Sequence, residues 1–338
     1  MTSASSKIRA YQLDTLGSLD GLVLAERGMP SPGAGEVLVR VRASSLNFRD
    51  MMILGGAYPA TVPAGRVPLS DGSSEVVEVG AGVKRFKVGD RVINSFFPNF
   101  FGGSFNFMPE QWVVDHDGWL TEYKAVSAEA LVAMPAYLTF EEAATLPCVA
   151  VTAWSALSGV RAGDTILTQG TGGVSLFALQ LAKALGTRVI ATTTNPESTA
   201  RLRELGADAV IDARNSPDWG NQVRALTNGR GVDRVVEVGG PGTLAQSTKA
   251  VAYGGQVSLV GALAADQGGL EFWSVFMSQA RFQPIAAGSR RDLEDLCRLL
   301  EQHEIRPVID SVYSFDDAKA GWRYYAGRKV TGKVVIRH

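Results

Sequence analysis

The run Gly170-Thr171-Gly172-Gly173-Val174-Ser175 has the residue types and spacing to do chemistry. It follows "DTILTQ", an apolar stretch of strand character, and opens "GVSLFALQLAKALG", whose apolar residues recur at helical spacing. Gly170 permits a tight turn, and Gly172, lacking a Cβ, lets a phosphate approach the backbone. The N-terminus of the helix then offers its unpaired N–H groups to that charge. Ser175 stands where a third glycine is usual, and a small residue suffices there for close packing of helix on strand. Strand, glycine loop and helix in this order predict a dinucleotide site, with Gly170, Thr171, Gly172, Gly173 and Val174 as cofactor-binding residues. A purely structural turn is the alternative.

The next strand distinguishes the dinucleotides. An acid near its end, about 20 residues on, would bind the adenosine ribose hydroxyls of NAD. Ile190 to Asn195 reads "IATTTN" and carries none. Thr193, Thr194 and Asn195, with Arg201 on the following helix, suit a 2′-phosphate, so NADP(H) is favoured over NAD(H). Glu197 nearby acts against that choice, and Thr193, Thr194 and Arg201 also read as ordinary strand-end and surface residues.

Two kinds of architecture must position these groups. From Ile8 to Val114 the segments are short and strand-like, as in "EVLVRVRASSL" (Glu36 to Leu46), "SSEVVEVGAGV" and "GDRVINSF", with Pro-Gly and Gly-Asp turns between them. This predicts a small all-β barrel. After about Ala128, strands alternate with helices, which predicts βαβ crossovers and a parallel sheet covered on both faces. Thr139 to Ala156 reads as a helix capped by Thr139, with Glu141 and Glu142 in its first turn. "TLAQSTKAVAYGG" reads as a helix and "QVSLVGAL" as the strand after it. The tail carries a helix (Asp292 to His303), a strand (Val308 to Val312), a helix (Asp316 to Ala326) and the terminal strand "GKVVIRH". The fold class is therefore α/β, a Rossmann doubly wound parallel sheet joined to a β-barrel. The expected domains are residues 1–127, 128–270 and a C-terminal segment, 271–338, returning to the first.

Composition bounds the function. Of 338 residues, 33 are basic and 34 acidic, so the formal net charge is −1. That excludes the basic surplus expected of a nucleic-acid or anionic-membrane partner. No uncharged apolar run reaches the ~18 residues of a membrane span, and "MTSASSKIR" has no apolar core for a signal peptide. Two cysteines cannot build a disulfide framework, so the cytoplasm is the expected compartment. Two cysteines and three histidines also limit any zinc chemistry.

Barrel, nucleotide domain and returning tail resemble the medium-chain dehydrogenase/reductase superfamily, whose barrel is GroES-like. Leu46-Asn47-Phe48-Arg49-Asp50 followed by Gly56-Ala57-Tyr58-Pro59 is similar to the "NxxD…GxYP" stretch of its quinone oxidoreductases. "VVEVGAGVKRFKVGDRV", "LPCVAVTAWSAL", the glycine loop and the closing "GKVVI" match in order and spacing. The zinc alcohol dehydrogenases of that superfamily hold catalytic zinc with a Cys, the His of Gly-His-Glu and a further Cys. The matching positions here are Asn47, Leu69-Ser70-Asp71 and Cys148, and the four-cysteine structural zinc lobe is absent. The resemblance is therefore to the zinc-independent branch, with no metal.

Without a Lewis acid, oxidising a simple alcohol is hard, whereas a conjugated carbonyl or a quinone can take hydride if donors stabilise the resulting anion. The resemblance puts Asn47 and Tyr58 beside the nicotinamide, to polarise the acceptor oxygen, with Tyr58 or water giving the proton. Asp50 reads as an orienter behind them. Structural alternatives stay open: an amide tying down a barrel loop, and a tyrosine packed on the barrel. By the same resemblance Thr152, Gly239 and Gly240, Val260, Ala262 and Leu263, and Ala286 to Ser289 with Gly288 among them, contact the cofactor, mostly through backbone. Cys148 reads as an inert buried thiol, Cys297 as part of an apolar helix face, and His116 and His303 as ordinary residues. The six phenylalanines from Phe96 to Phe107 wall an apolar substrate cleft or pack as a lobe core or subunit contact. The expected activity is NADPH-dependent reduction of a quinone or an α,β-unsaturated carbonyl, in a homodimer paired through its Rossmann sheets. The alternatives are a zinc-independent alcohol or aldehyde oxidoreductase, an enoyl-thioester reductase, or a crystallin-like NADPH-binding protein with little turnover.

Overall fold

The computed structural model describes residues 7–261, 263 and 271–338. The chain forms two compact units, Met1–Val151 with Gly288–His338, and Thr152–Ala287. In chain order the first unit opens with β1 (Lys7–Leu13), β2 (Leu22–Gly28) and β3 (Glu36–Ser45). Helix α1 (Phe48–Leu54) and strands β4 (Asp71–Val79), β5 (Arg91–Asn94), β6 (Tyr123–Ser127) and β7 (Leu131–Ala133) follow. Along β3, Val37, Val39 and Val41 are buried and Arg40 is exposed, the alternation its sequence predicts.

Thr139 caps α2 (Phe140–Ala143): its Oγ1 accepts the Glu142 N–H at 3.2 Å, and Glu142 Oε2 accepts the Thr139 N–H at 2.8 Å. This reciprocal cap is the one the sequence signals. The single helix expected to run on to Ala156 is interrupted. A π-helical turn, Leu146–Ala150, with Pro147 inside it, separates α2 from α3 (Val151–Ala156). Proline has no N–H for the helical ladder and crowds the preceding turn, which accounts for the break.

The second unit continues with β8 (Thr165–Gln169), α4 (Gly173–Ala184), β9 (Arg188–Thr193), α5 (Thr199–Glu204) and β10 (Ala209–Asp212). Then come α6 (Trp219–Leu226), β11 (Val232–Glu237), α7 (Pro241–Ala250), β12 (Val251–Leu259), α8 (Phe272–Ser278) and β13 (Arg281–Pro284). The strands form one parallel sheet in the order β10-β9-β8-β11-β12-β13. The order reverses between β8 and β11, the switch point where doubly wound sheets bind ligands beyond their strand ends. One boundary differs from expectation: "VAYGG" (Val251 to Gly255) is strand rather than helix. Val251 pairs with Val232 of β11 and is fully buried, and packing of a β-branched side chain in the core overrides the helical pattern before it.

The chain returns to the first unit through α9 (Arg290–His303), β14 (Ile309–Ser314), α10 (Ala318–Ala326) and β15 (Lys333–Arg337). Its mixed sheet runs β14-β15-β3-β4-β5-β7, with β6 also on β3. Trp119, Leu22, Val39, Ile53 and Trp322 lie in the core of this unit. Strand β15, next to β3, brings Lys333 to the residues that follow β3.

Candidate active site

In the second unit the predicted cofactor residues gather at one edge of the sheet. Gly170, at the end of β8, has φ +73°, the left-handed region that favours glycine. Gly172 is the N-cap of α4, so no side chain caps the first-turn N–H groups, and the space where its Cβ would stand is open. Thr171, Gly173 and Val174 complete the loop, and Ser175 fixes it from beneath by donating to the Gln169 carbonyl at 2.6 Å. These features fit a dinucleotide pyrophosphate: uncapped donors at a helix start and no atom in its way.

At the end of β9, Thr193 Oγ1 accepts the Asn195 N–H at 3.0 Å, and the Asn195 side chain accepts the Glu197 N–H at 3.2 Å. Thr194 is exposed. Arg201, on α5, pairs with Glu204 at 3.1 Å, both largely exposed. Gly239 follows β11, Val260 follows β12 and Ala286 follows β13, so these three share the edge with Gly170. Leu263 N–H bonds the Val238 carbonyl at 3.2 Å, while Ala262 lies outside the described residues. Thr152 is buried in α3, and Gly288, also buried, begins the chain's return to the first unit.

Glu237 is a residue the sequence reading missed. Its fully buried carboxylate accepts from the Gly239 and Gly240 N–H groups at 2.8 and 2.9 Å and from Thr243 at 2.5 Å. Gln169 donates to its other oxygen at 2.8 Å, and Ser247 donates to that oxygen too. Gln169 in turn accepts the Val238 N–H at 3.2 Å. One anion, held by five donors, thus ties the residue before the glycine loop to the turn after β11.

In the first unit Asn47, Asp50 and Tyr58 sit on and around α1, but not as a simple donor pair. Asn47 is buried at the start of α1; its Nδ2 donates to Asp71 Oδ2 at 2.8 Å and its Oδ1 accepts from Lys333 Nζ at 2.5 Å. Lys333, equally buried, also donates to the Leu46 carbonyl at 2.6 Å and lies 3.7 Å from Asp71. Asp50 accepts the Asn47 backbone N–H at 2.8 Å, and its other oxygen has no partner. Burial pushes the Asp50 carboxyl up to about 7, with Asp71 adding to the shift and Arg49 opposing it. Burial also raises Asp71, against Lys333. Tyr58 donates to Gln111 Oε1 at 2.7 Å, and the Arg49 guanidinium lies over its ring at 4.9 Å. Lys333, Asp71, Arg49 and Gln111 were not among the expected site residues. In the sequence "GKVVI" reads as a closing strand and a family motif, and Arg49 as part of a motif, neither as a site residue.

The phenylalanine cluster has both characters. Phe96, Phe97 and Phe100 are buried and pack edge to face, while Phe101, Phe105 and Phe107 are half exposed. A cavity of about 540 Å³ in this unit is lined by Phe101, Trp112, His116 and Lys124, and not by Asn47, Asp50 or Tyr58. His116 pairs with Glu110 at 2.8 Å, and Cys297 is buried on α9.

Comparison with known proteins places this geometry. Residues 33–136 match the alcohol dehydrogenase GroES-like domain, and residues 173–302 the zinc-binding dehydrogenase family. A zinc-type alcohol dehydrogenase-like protein of Schizosaccharomyces pombe is 37% identical over 336 residues, covering 96% of this chain and 97% of that protein. The chain belongs to the medium-chain dehydrogenase/reductase superfamily and is an oxidoreductase of that family. The crystal structure of a putative alcohol dehydrogenase from Sinorhizobium meliloti superposes with a TM-score of 0.92 at 38% identity, over 99% of each chain. An acryloyl-coenzyme A reductase of Sulfurisphaera tokodaii is 28% identical over 338 residues, 95% of this chain and 98% of that one. The family binds a nicotinamide cofactor, which the glycine loop and the uncapped start of α4 fit.

A catalytic zinc is a different matter. At the positions expected for its ligands stand Asn47, Ser70 and Cys148. The Asn47 amide is engaged at both ends by Asp71 and Lys333, and a buried ammonium beside it opposes a second cation. Burial, with Asp71 close by, pushes the Cys148 thiol up, away from the thiolate a metal requires. These residues do not fit a catalytic zinc. Among the described residues, no group of three or more His, Cys, Asp or Glu could hold a metal ion.

Proposed function

We propose that this protein is a zinc-independent, NADPH-dependent reductase of quinones or α,β-unsaturated carbonyls. The reading is carried by two observations, a dinucleotide loop in the second unit and, in the first, a family zinc position rebuilt around Asn47, Asp71 and Lys333. The bound nicotinamide would supply a hydride to the conjugated acceptor. The chain's own part is to bind that acceptor and stabilise the anion it becomes. Tyr58 and the second amide hydrogen of Asn47 polarise the acceptor oxygen, and Tyr58 or water returns the proton. Asp50 orients Asn47 through its backbone N–H.

Residues 170–174, Thr152, Gly239, Val260, Ala262, Leu263, Ala286 and Gly288 hold the cofactor. Thr193, Thr194, Asn195 and Arg201 favour NADP(H), supported by the lack of an acid at the end of β9. In this reading the first unit carries the acceptor chemistry and the second all of the named cofactor residues but Gly288.

A homodimer pairing β13 with its copy accounts for two features. Strand β13 ends the parallel sheet, and Phe272, Trp273, Phe276 and Met277 of α8 are exposed nearby in sequence. Two cysteines support a reducing, cytoplasmic setting. Reduction of an enoyl thioester is the second reading, favoured by the likeness to an acryloyl-coenzyme A reductase. The test is NADPH oxidation by the purified protein with quinones, alkenals, enones and an enoyl thioester. Turnover on at least one is expected, and tight NADPH binding with no acceptor at all would replace this reading with a binding protein.

A further inference from the structure

Arg49 is the charge in the first unit that the packing leaves least explained. It forms no ion pair with a carboxylate among the described residues. Its hydrogen bonds are three long ones, each 3.3 Å, to the Trp112 carbonyl and to Gln111 Oε1. Its Nε is buried without a partner. The guanidinium lies over two rings, 4.9 Å from the centroid of Tyr58 and 5.3 Å from that of Phe96. A partly buried cation normally recruits an anion, and a guanidinium with unused donors has both charge and geometry for an oxyanion. Two carboxylates are near in sequence or space, yet neither forms an ion pair with Arg49, although each has an oxygen without a hydrogen-bond partner. Asp50 binds the start of α1, and Asp71 binds Asn47, Ser45 and Lys333.

We infer that Arg49 is a catalytic residue that binds the acceptor's oxygen as it becomes an enolate or hydroquinone anion, alongside the Tyr58 phenol. The inference rests on the carbonyl-reduction reading and deepens it. Tyr58 already donates its proton to Gln111, so on its own it is a poor source of charge stabilisation. Arg49 bonds the same Gln111, so one amide fixes both groups. The Phe96 ring beneath the guanidinium packs on Phe97, and Phe97 on the half-exposed Phe105. An acceptor with its oxygen at Arg49 would lay an apolar or aromatic substituent along those rings. The balance is simple. With an enone, hydride from the nicotinamide would add to the β-carbon and the C=C pair would move to the oxygen as an enolate. A proton from Tyr58 or water would then reach the α-carbon. With a quinone, hydride and one proton would give the aromatic hydroquinone by way of its anion. In both, Arg49 holds the negative oxygen between the two transfers without itself losing a proton.

The test pairs turnover with a probe that needs no turnover. Arg49→Met keeps the apolar stem between Tyr58 and Phe96, and Arg49→Lys keeps the charge but loses the planar fork. With a neutral acceptor such as cyclohexenone, Arg49→Met should lower kcat by about 10²-fold or more, the usual effect of deleting an oxyanion donor. NADPH affinity and melting temperature should stay near wild type, Arg49→Lys should fall between, and added guanidinium ion should restore part of the loss. Independently, wild-type protein should bind para-nitrophenol as its coloured phenolate, with a pKa lowered by about one unit or more, and Arg49→Met should not.

Loss of melting temperature with kcat and the phenolate shift intact would overturn the inference in favour of a structural tether. A loss confined to acceptors that carry a carboxylate, with cyclohexenone unaffected, would also overturn it. If wild type reduces no acceptor but shows an Arg49-dependent phenolate shift, the reaction reading fails and the anion site stands. Should Arg49→Met not fold, Arg49→Lys and the phenolate titration decide the matter.

Discussion

Replacing Lys333 with Met isolates the buried charge cluster of the first unit. The ammonium is 2% exposed and Asp71 is fully buried, 3.7 Å away. Lys333 also donates to Asn47 Oδ1 at 2.5 Å and to the Leu46 carbonyl at 2.6 Å. Methionine fills a similar volume, so the cavity contribution is small and the electrostatic one dominates. Removing one partner of a buried pair leaves an uncompensated charge and costs about 3–5 kcal/mol. At about 2–4 °C per kcal/mol for a body of this size, the first unit should melt roughly 6–20 °C lower.

Trp112, Trp119 and Trp322 lie in that unit's core and the other three tryptophans in the second unit, so the part of the tryptophan fluorescence transition that shifts in the variant reports the first unit's melting. Adding Asp71→Asn removes the stranded charge while keeping an acceptor for Asn47 and Ser45, and should recover much of the loss. A single variant that loses under about 1 kcal/mol, within the range of an ordinary surface pair, would refute the reasoning. So would a double variant no more stable than Lys333→Met.

Other predictions follow from the same geometry. Gly172→Ala meets open space in the fold, so the melting temperature should hold while NADPH binding weakens by about tenfold or more, about 1.4 kcal/mol, by calorimetric titration. Glu237→Gln sets an amide nitrogen against donors on either side of the carboxylate. It should destabilise the second unit by about 2 kcal/mol or more in urea denaturation and weaken NADPH binding with it. Burial, with Arg66 and Arg27 nearby, lowers Lys124 from 10.5 to about 8, despite Asp117. Its folded-state pKa is thus depressed, so the charging penalty is full below pH 8 and gone above 10.5. Wild type should therefore gain on Lys124→Met by about 2–3 kcal/mol as pH rises through that window, measured by denaturation at each pH.

How much of this was legible in the sequence depended on how local the physics is. The strand, glycine loop and helix around Gly170 could be read because turn, phosphate approach and helix start use adjacent residues. The Thr139 cap was legible for the same reason, its partner Glu142 being three residues on. The break at Pro147 was visible in composition, yet apolar periodicity on both sides hid it. The end of α7 was misplaced because Val251 answers to Val232 across the sheet, which no local pattern encodes.

The sites divide in the same way. The βα rhythm made the strand ends themselves readable, while Gly239, Val260 and Ala286 were named there only through the family resemblance. Glu237 was not, because its donors Gln169 and Ser247 come from another strand and another helix. The Lys333–Asn47–Asp71 cluster joins residues from three distant parts of the chain. A lysine in a terminal strand would usually be taken as solvated, and only the pairing of β15 with β3 buries it. Arg49 carried a signal that could have been used: a charge between Asn47 and Asp50 at the start of a helix whose later residues are apolar.

The most direct test of the central claim is hydride tracing in metal-depleted protein. NADPH deuterated at the transferring position of its nicotinamide would be incubated with an enone acceptor after dialysis against a chelator, and the product examined by NMR. Deuterium on the product's β-carbon, at a rate unchanged when zinc is added back, is the predicted result. Label that never reaches the acceptor, or reaches it only with zinc restored, would contradict the account.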